Sequence, residues 1–278
     1  MDKLRFGTAG IPLSTPTRNM LNGIRQVHQL GLGAMEVEFV RSVHITPEKS
    51  PEVKRVAQQE DVALTCHGQY YVNLNAQDQK VLQQSIQRIL TAARIAQQCG
   101  VWSLCYHFGY YMGQPQEKTY TQIKSVVKQL VQQFQDEGIT LWLRPETGGK
   151  VTQFGDLPEL IQLSQEVEQV LPCIDWAHHH ARSNGKYNTT KEFSHILEEI
   201  EKGLGRRALD NMHMHIEGIE YTEKGERNHV NLEESDFNYR DLLKVLKDFR
   251  VKGVAICESP NIEEDAVRMQ KFYRNYKA

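Results

Sequence analysis

Short apolar runs alternate with longer stretches of helical periodicity along the whole chain, and eight such pairs can be counted. The strand candidates are Leu4 to Ala9, Met35 to Val40, Ala63 to His67, Val101 to His107, Thr140 to Glu146, Pro172 to Asp175, Asn211 to Ile216 and Val254 to Glu258. A helix is predicted after each. From Gln77 to Cys99, the residues Leu82, Ile86, Ile89, Ala93 and Ala96 recur at helical spacing with Gln and Arg opposite, and Gly100 marks the turn. Tyr120 to Glu137 repeats the pattern with Ile123, Val127, Leu130 and Phe134 and closes at Gly138. Asp156 ahead of Leu157-Pro158 reads as a helix start, as does Ser235 or Asp236 ahead of the stripe Leu242, Leu243, Leu246, Phe249.

Strands alternating with helices at this spacing imply parallel strands joined by right-handed crossovers. Eight units in 278 residues fit a closed (β/α)8 TIM barrel better than an open doubly wound sheet. The open sheet would be favoured by a phosphate-gripping G-x-G-x-x-G after the first strand, where the chain instead reads Gly7-Thr8-Ala9-Gly10-Ile11-Pro12. No linker or shift in composition interrupts the pattern, so we assign one domain over residues 1–278.

Composition narrows the picture. The balance of 33 Lys and Arg against 35 Asp and Glu, with 40% hydrophobic residues, excludes a disordered chain. The five cysteines are widely spaced among apolar neighbours with no C-x-x-C pair, which predicts reduced, mostly buried thiols and a cytoplasmic protein. No apolar run approaches the roughly 20 residues of a membrane span, and no basic and apolar leader opens the chain. A formal charge of −2 argues against general affinity for polyanions while leaving room for a local basic groove.

The chemistry concentrates where the strand candidates end: Glu38, His67, His107, Glu146, Asp175, His215 and Glu258, with His178 just beyond Asp175. In a TIM barrel those ends converge on one face, the face on which such enzymes build their sites. Imidazoles and carboxylates crowded there repel and desolvate one another unless cations lie between them. The mixed nitrogen and oxygen donors suit zinc, with manganese as the alternative. There are more ligands than one ion needs, so two or three ions are expected, and Glu146 is placed to bridge a pair. A lone His at a strand end is usually a hydrogen-bonded core residue, and only the succession of such ends favours a site. Two further expectations concern the neighbours. Glu36 and Arg144 each point the same way as the ligand candidate two residues on, so a buried ion pair between them is expected beneath the site. His213 faces inward with His215, the position nearer the strand end being the ligand, while His179 and His180 are expected in solvated loop and His28, His44 and His195 on the surface.

These residues resemble endonuclease IV, the metal-dependent apurinic/apyrimidinic endonuclease family of TIM barrel fold, and within it a shorter branch akin to xylose isomerase-like barrels. The likeness spans nearly the whole chain. His67-Gly68-Gln69-Tyr70 resembles the segment in which a ligand His is followed three residues later by a Tyr lining the DNA site, and His107-Phe108-Gly109 the segment of the second His. Glu146-Thr147-Gly148-Gly149-Lys150 resembles the stretch opening on the bridging Glu, Asp175-Trp176-Ala177-His178 the D-x-x-H element, His215 the seventh-strand His and Glu258-Ser259-Pro260 the final Glu. The resemblance implies one zinc held by His67, His107 and Glu146 and a second by Glu146, Asp175, His215 and Glu258. A third would lie on His178 with Glu226 and His229. The family uses D-x-H at that last place, whereas Glu226-Arg227-Asn228-His229 stands here.

The function implied is cleavage of DNA on the 5′ side of abasic sites by metal-activated hydroxide, with Glu146 and Glu258 catalytic and Tyr70 and Arg41 contacting DNA. The partner expected is DNA containing abasic sites, with no membrane association and a monomeric chain. Glu146, Asp175, His215 and Glu258 alone also resemble the single-metal set of ketose epimerases, in which two glutamates exchange protons beside a carbonyl. That alternative leaves His67, His107 and His178 without a task. A catalytically quiet, metal-stabilised DNA-binding module is a third reading, weakened by the absence of a visibly basic face.

Overall fold

The computed structural model describes residues 1–277. The strands are β1 (Leu4–Ala9), β2 (Ala34–Glu38), β3 (Ala63–His67), β4 (Ser103–Tyr106), β5 (Trp142–Pro145), β6 (Cys173–Asp175), β7 (Met212–Ile216), β8 (Gly218–Thr222), β9 (Gly225–Val230) and β10 (Gly253–Cys257). Eight of them form a parallel sheet in the order β5, β4, β3, β2, β1, β10, β7, β6. Parallel bridges Leu143 to Val170 and Glu146 to Cys173 join its two edges, which makes the sheet a (β/α)8 TIM barrel.

The helices wrap the outside because their apolar stripes have only the barrel to cover them. The helix following β3 (Gln79–Gln98) buries Leu82, Ile89, Ala93 and Ala96, and the helix following β4 (Gln116–Asp136) buries Ile123, Val127, Leu130 and Phe134. Asp156 caps the helix Leu157–Glu166 through a full capping box with Glu159. The later start signal lies elsewhere than expected: the helix Tyr239–Asp248 is capped by Asn238, while Ser235 Oγ bonds the backbone of Ile219. All five cysteines are buried and free. Among the described residues no helix is long and apolar enough to cross a membrane.

β8 and β9 form an antiparallel hairpin that the eight-unit reading did not anticipate. It springs from the end of β7, turns through Glu223-Lys224 and Gly225 at φ +94°, and folds over the C-terminal ends of the strands. Backbone contact between Glu226 N and Gly149 O at 2.9 Å ties it to the loop after β5.

Strand β1 approaches β2 so closely at Gly7 that a Cβ there would lie 2.3 Å from Ala34 O. Backbone on both sides leaves nothing to yield, so Gly7→Ala is expected to cost about 1–3 kcal/mol, read as a lower urea midpoint at unchanged slope.

Candidate metal centre

Seven of the eight parallel strands, all but β1, bring a His, Asp or Glu at or just past their ends to the same bowl. Glu146 stands at its centre. Glu146 Oε2 lies 3.2 Å from His67 Nε2 and 3.5 Å from His107 Nε2, and Oε1 lies 3.0 Å from His215 Nδ1 and 3.6 Å from His178 Nδ1. Asp175 Oδ2 is 3.0 Å from His178 Nδ1, and Glu258 Oε1 is 3.6 Å from His215 Nδ1. On the hairpin, His229 places Nδ1 3.7 Å from Glu258 Oε2, and Glu226 Oε2 lies 3.5 Å from His178 Nε2. All nine ligand candidates therefore meet in one place. Of the two residues expected to contact DNA, Tyr70 stands at the rim with its ring edge-on to His67 at 5.6 Å, and Arg41 is exposed on the loop after β2.

The electrostatics describe a site waiting for positive charge. Burial alone would raise the Glu146 carboxyl, but the surrounding imidazoles of His107, His215 and His67 hold it well below the carboxylate range. Burial, with His178 and His67 nearby, drops the His107 imidazole to about 4 against the pull of Glu146, so it is neutral and its lone pair is available. Burial disfavours charge on His178 too, but Asp175 wins and raises it to about 10. Buried carboxylate oxygens without an aligned hydrogen bond gather here: Glu38 Oε1 and both oxygens of Glu217, and also Glu146 Oε2 and Asp175 Oδ2, whose imidazole neighbours stand close but off hydrogen-bond geometry. Such orphans are costly unless a cation satisfies them. His178 Nε2 and His229 Nε2 stand 3.3 Å apart. Two nitrogens on a tetrahedral zinc, each bonded at about 2.0–2.1 Å, would be separated by about the same distance.

Glu217 is the site residue that reading the sequence missed. It is fully buried, and one of its oxygens lies within 4.8 Å of ligand atoms of both His178 and His229. The signal was present, since Glu217 continues the inward alternation His213, His215 by two more residues. Burial and the nearby negative charge of Asp175 and Glu258 push its carboxyl well above the usual range. Glu38 is raised likewise, by burial first and then by Glu36.

Three expectations are corrected. No ion pair joins Glu36 to Arg144 within 4.0 Å, because the oxygens of Glu36 face His213 Nε2 at 2.9 Å and His215 Nε2 at 2.8 Å. Arg144 turns the other way, donating to the carbonyls of Pro172 and Asn211 where β6 and β7 begin, and lying over the Trp102 ring. His179 and His180 are not solvated loop: both lie on the helix Trp176–Arg182, where His180 is buried between Tyr187 O and Asp236 Oδ1.

The family model of xylose isomerase-like TIM barrels matches residues 24–276. The chain belongs to that family. A relative from Methanocaldococcus jannaschii, itself uncharacterized, is 43% identical over 270 residues and covers 97% of each chain. Among solved structures, endonuclease IV from Thermus thermophilus superposes with TM-score 0.74 at 17% identity, over 97% of both chains. A D-tagatose 3-epimerase-like protein superposes equally well, with TM-score 0.74 at 17% identity over 98% of this chain and 96% of the other. One neighbour is thus an endonuclease IV and the other an epimerase-like protein, and at such identities the likeness speaks for the fold alone. What separates the readings for this chain is its own bowl. Leu13, Tyr70, Tyr71, Tyr110, Met112 and Val151 are exposed on loops that follow strands.

Proposed function

We propose that this chain is a metal-dependent phosphodiesterase of the endonuclease IV type, cutting DNA on the 5′ side of abasic sites. The observation that carries the reading is the surplus of donors. Glu146, Asp175, His215 and Glu258 are enough for one ion, yet His67, His107, His178 and His229 stand around the same carboxylates. His67, His107 and Glu146 would hold one zinc or manganese ion, Glu146, Asp175, His215 and Glu258 a second, and His178 and His229 with Glu217 or Glu226 a third. When bound, such ions acidify a water to a nucleophile at neutral pH and neutralise charge on a phosphate.

The side chains then divide the work. Glu146, with no exposed side-chain surface, is held in one orientation by its imidazole neighbours and is the shared carboxylate of the centre. Glu258 is 13% exposed and reaches the bowl from its open side, which suits it to take the proton of the attacking water as the bond from phosphorus to the upstream sugar oxygen breaks. Tyr70 and Tyr71, 59% and 71% exposed at the rim, offer ring faces to nucleobases flanking the lesion, and Arg41 offers a cation to the backbone. An abasic sugar leaves the helix at least cost, because no base has to be unstacked.

The test loads the chelator-stripped chain with zinc or manganese, counts metal per chain, and offers a labelled abasic-site duplex and, separately, a ketose. We expect two to three ions per chain, cleavage 5′ to the lesion and loss of both on adding chelator. One ion per chain with epimerisation of the ketose and an uncut duplex would replace this reading with the sugar epimerase.

A further inference from the structure

We infer that Glu36 is a positioning residue for the metal centre, fixing the ring of His215 so that Nδ1 faces the ions. The inference rests on the metal-binding reading above and goes beneath it, to a layer of the barrel interior that the proposed chemistry does not touch. Glu36 lies on β2, opposite β7, and is fully buried together with His213, His215 and Ser103.

The hydrogen bonds of this layer have a direction that chemistry dictates. Arg144 Nε can only donate, and it donates to Ser103 Oγ at 2.8 Å. Ser103 therefore spends its own proton on its other neighbour, His213 Nδ1 at 2.9 Å. With Nδ1 accepting, His213 carries its proton on Nε2, which lies 2.9 Å from Glu36 Oε2 as a charge contact not aligned as a hydrogen bond. The remaining oxygen, Oε1, accepts from His215 Nε2 at 2.8 Å. Sulfur atoms of Cys105 and Cys173 also approach His215 Nε2, but at 3.9 Å and as weak partners. With Nε2 committed to Glu36, Nδ1 is the His215 nitrogen left for a cation, and it faces Glu146 Oε1 at 3.0 Å, Glu258 Oε1 at 3.6 Å and Asp175 Oδ2 at 4.0 Å. Nitrogen and carboxylates aimed at one point describe a cation position. A carboxylate behind a metal-bound imidazole fixes its tautomer and strengthens it as a ligand.

Glu36→Gln probes this directly. The amide has one acceptor and one donor group where two N–H groups need acceptors. Ser103 pins the His213 proton, so His215 is the ring left to turn its proton toward the ions. Using the full chain labelled with ¹⁵N-histidine, long-range proton–nitrogen correlation of the zinc-loaded wild type is expected to show His215 protonated on Nε2 and His213 likewise. In Glu36→Gln, zinc affinity measured by chelator competition should fall about 10- to 100-fold, and the His215 pattern should change tautomer. Wild-type zinc affinity in a folded Glu36→Gln chain, or His215 carrying no proton on Nε2 in the wild type, would overturn the inference. The wild-type spectrum decides alone if the variant does not fold. A wild-type chain that takes up no zinc removes the metal reading itself, and this inference with it.

Discussion

The zinc-loaded chain carrying Glu146→Gln is expected to cleave an abasic-site duplex at least about 10²- to 10³-fold more slowly than wild type, the scale on which removal of one oriented charge acts in a buried site. Four imidazoles lie within 3.6 Å of the Glu146 oxygens, so no other side chain occupies a comparable position. The amide keeps the volume but loses the negative charge, and with it the ability to serve two ions. Metal content should fall with activity. The metal-free variant should also be less stable at neutral pH, because burial works against charge on His67 and His215, the surrounding carboxylates, Glu146 among them, overcome it and hold both rings protonated, and the substitution strips them of part of that counter-charge. A broken buried pair costs about 3–5 kcal/mol. Cleavage rate, metal per chain and urea midpoint are measured on the same preparation. A folded Glu146→Gln chain with wild-type rate and full metal content would sink the assignment of Glu146 as the centre of the site.

The convergence of the candidate ligands was legible in the sequence because two regularities compound. Strand periodicity of two says which residues face inward, and parallel topology brings every strand end to one face, so His67, His107, Glu146, Asp175, His215 and Glu258 could be placed without a single distance. What lies below the ends was not legible. Glu36 and Arg144 both face the barrel interior, and periodicity predicts that much, but partner choice depends on the height of each layer. Glu36 shares its height with His213 and His215, while Arg144 reaches down to the starts of β6 and β7. The hairpin escaped for another reason. Its strands are a mixture of buried, half-buried and exposed positions that alternates weakly, so the third group of candidate ligands came from resemblance, and Glu217, packed beneath the hairpin, was passed over.

Glu217→Gln is expected to have effects of opposite sign with and without metal. In the metal-free chain both Glu217 oxygens are buried without a hydrogen-bond partner, and burial followed by the negative charge of Asp175 and Glu258 raises its carboxyl well above the ordinary 4.5. The folded chain then keeps a proton that the unfolded chain has released, so metal-free stability falls as pH climbs from 4.5 toward the raised folded value. A neutral amide has no such proton to hold. Glu217→Gln should accordingly stabilise the metal-free chain at neutral pH by about 1–3 kcal/mol and flatten its stability between the ordinary carboxylate range and neutrality. In the loaded chain the same change removes an anionic ligand from beside His178 and His229, so the weakest-bound ion should be lost and the stabilisation by added zinc reduced, since a ligand stabilises only in proportion to its affinity for the folded state. Urea midpoints across pH, with and without zinc, test both halves. Equal destabilisation in both states would mean that Glu217 is a packing residue, and the third ion would then depend on Glu226.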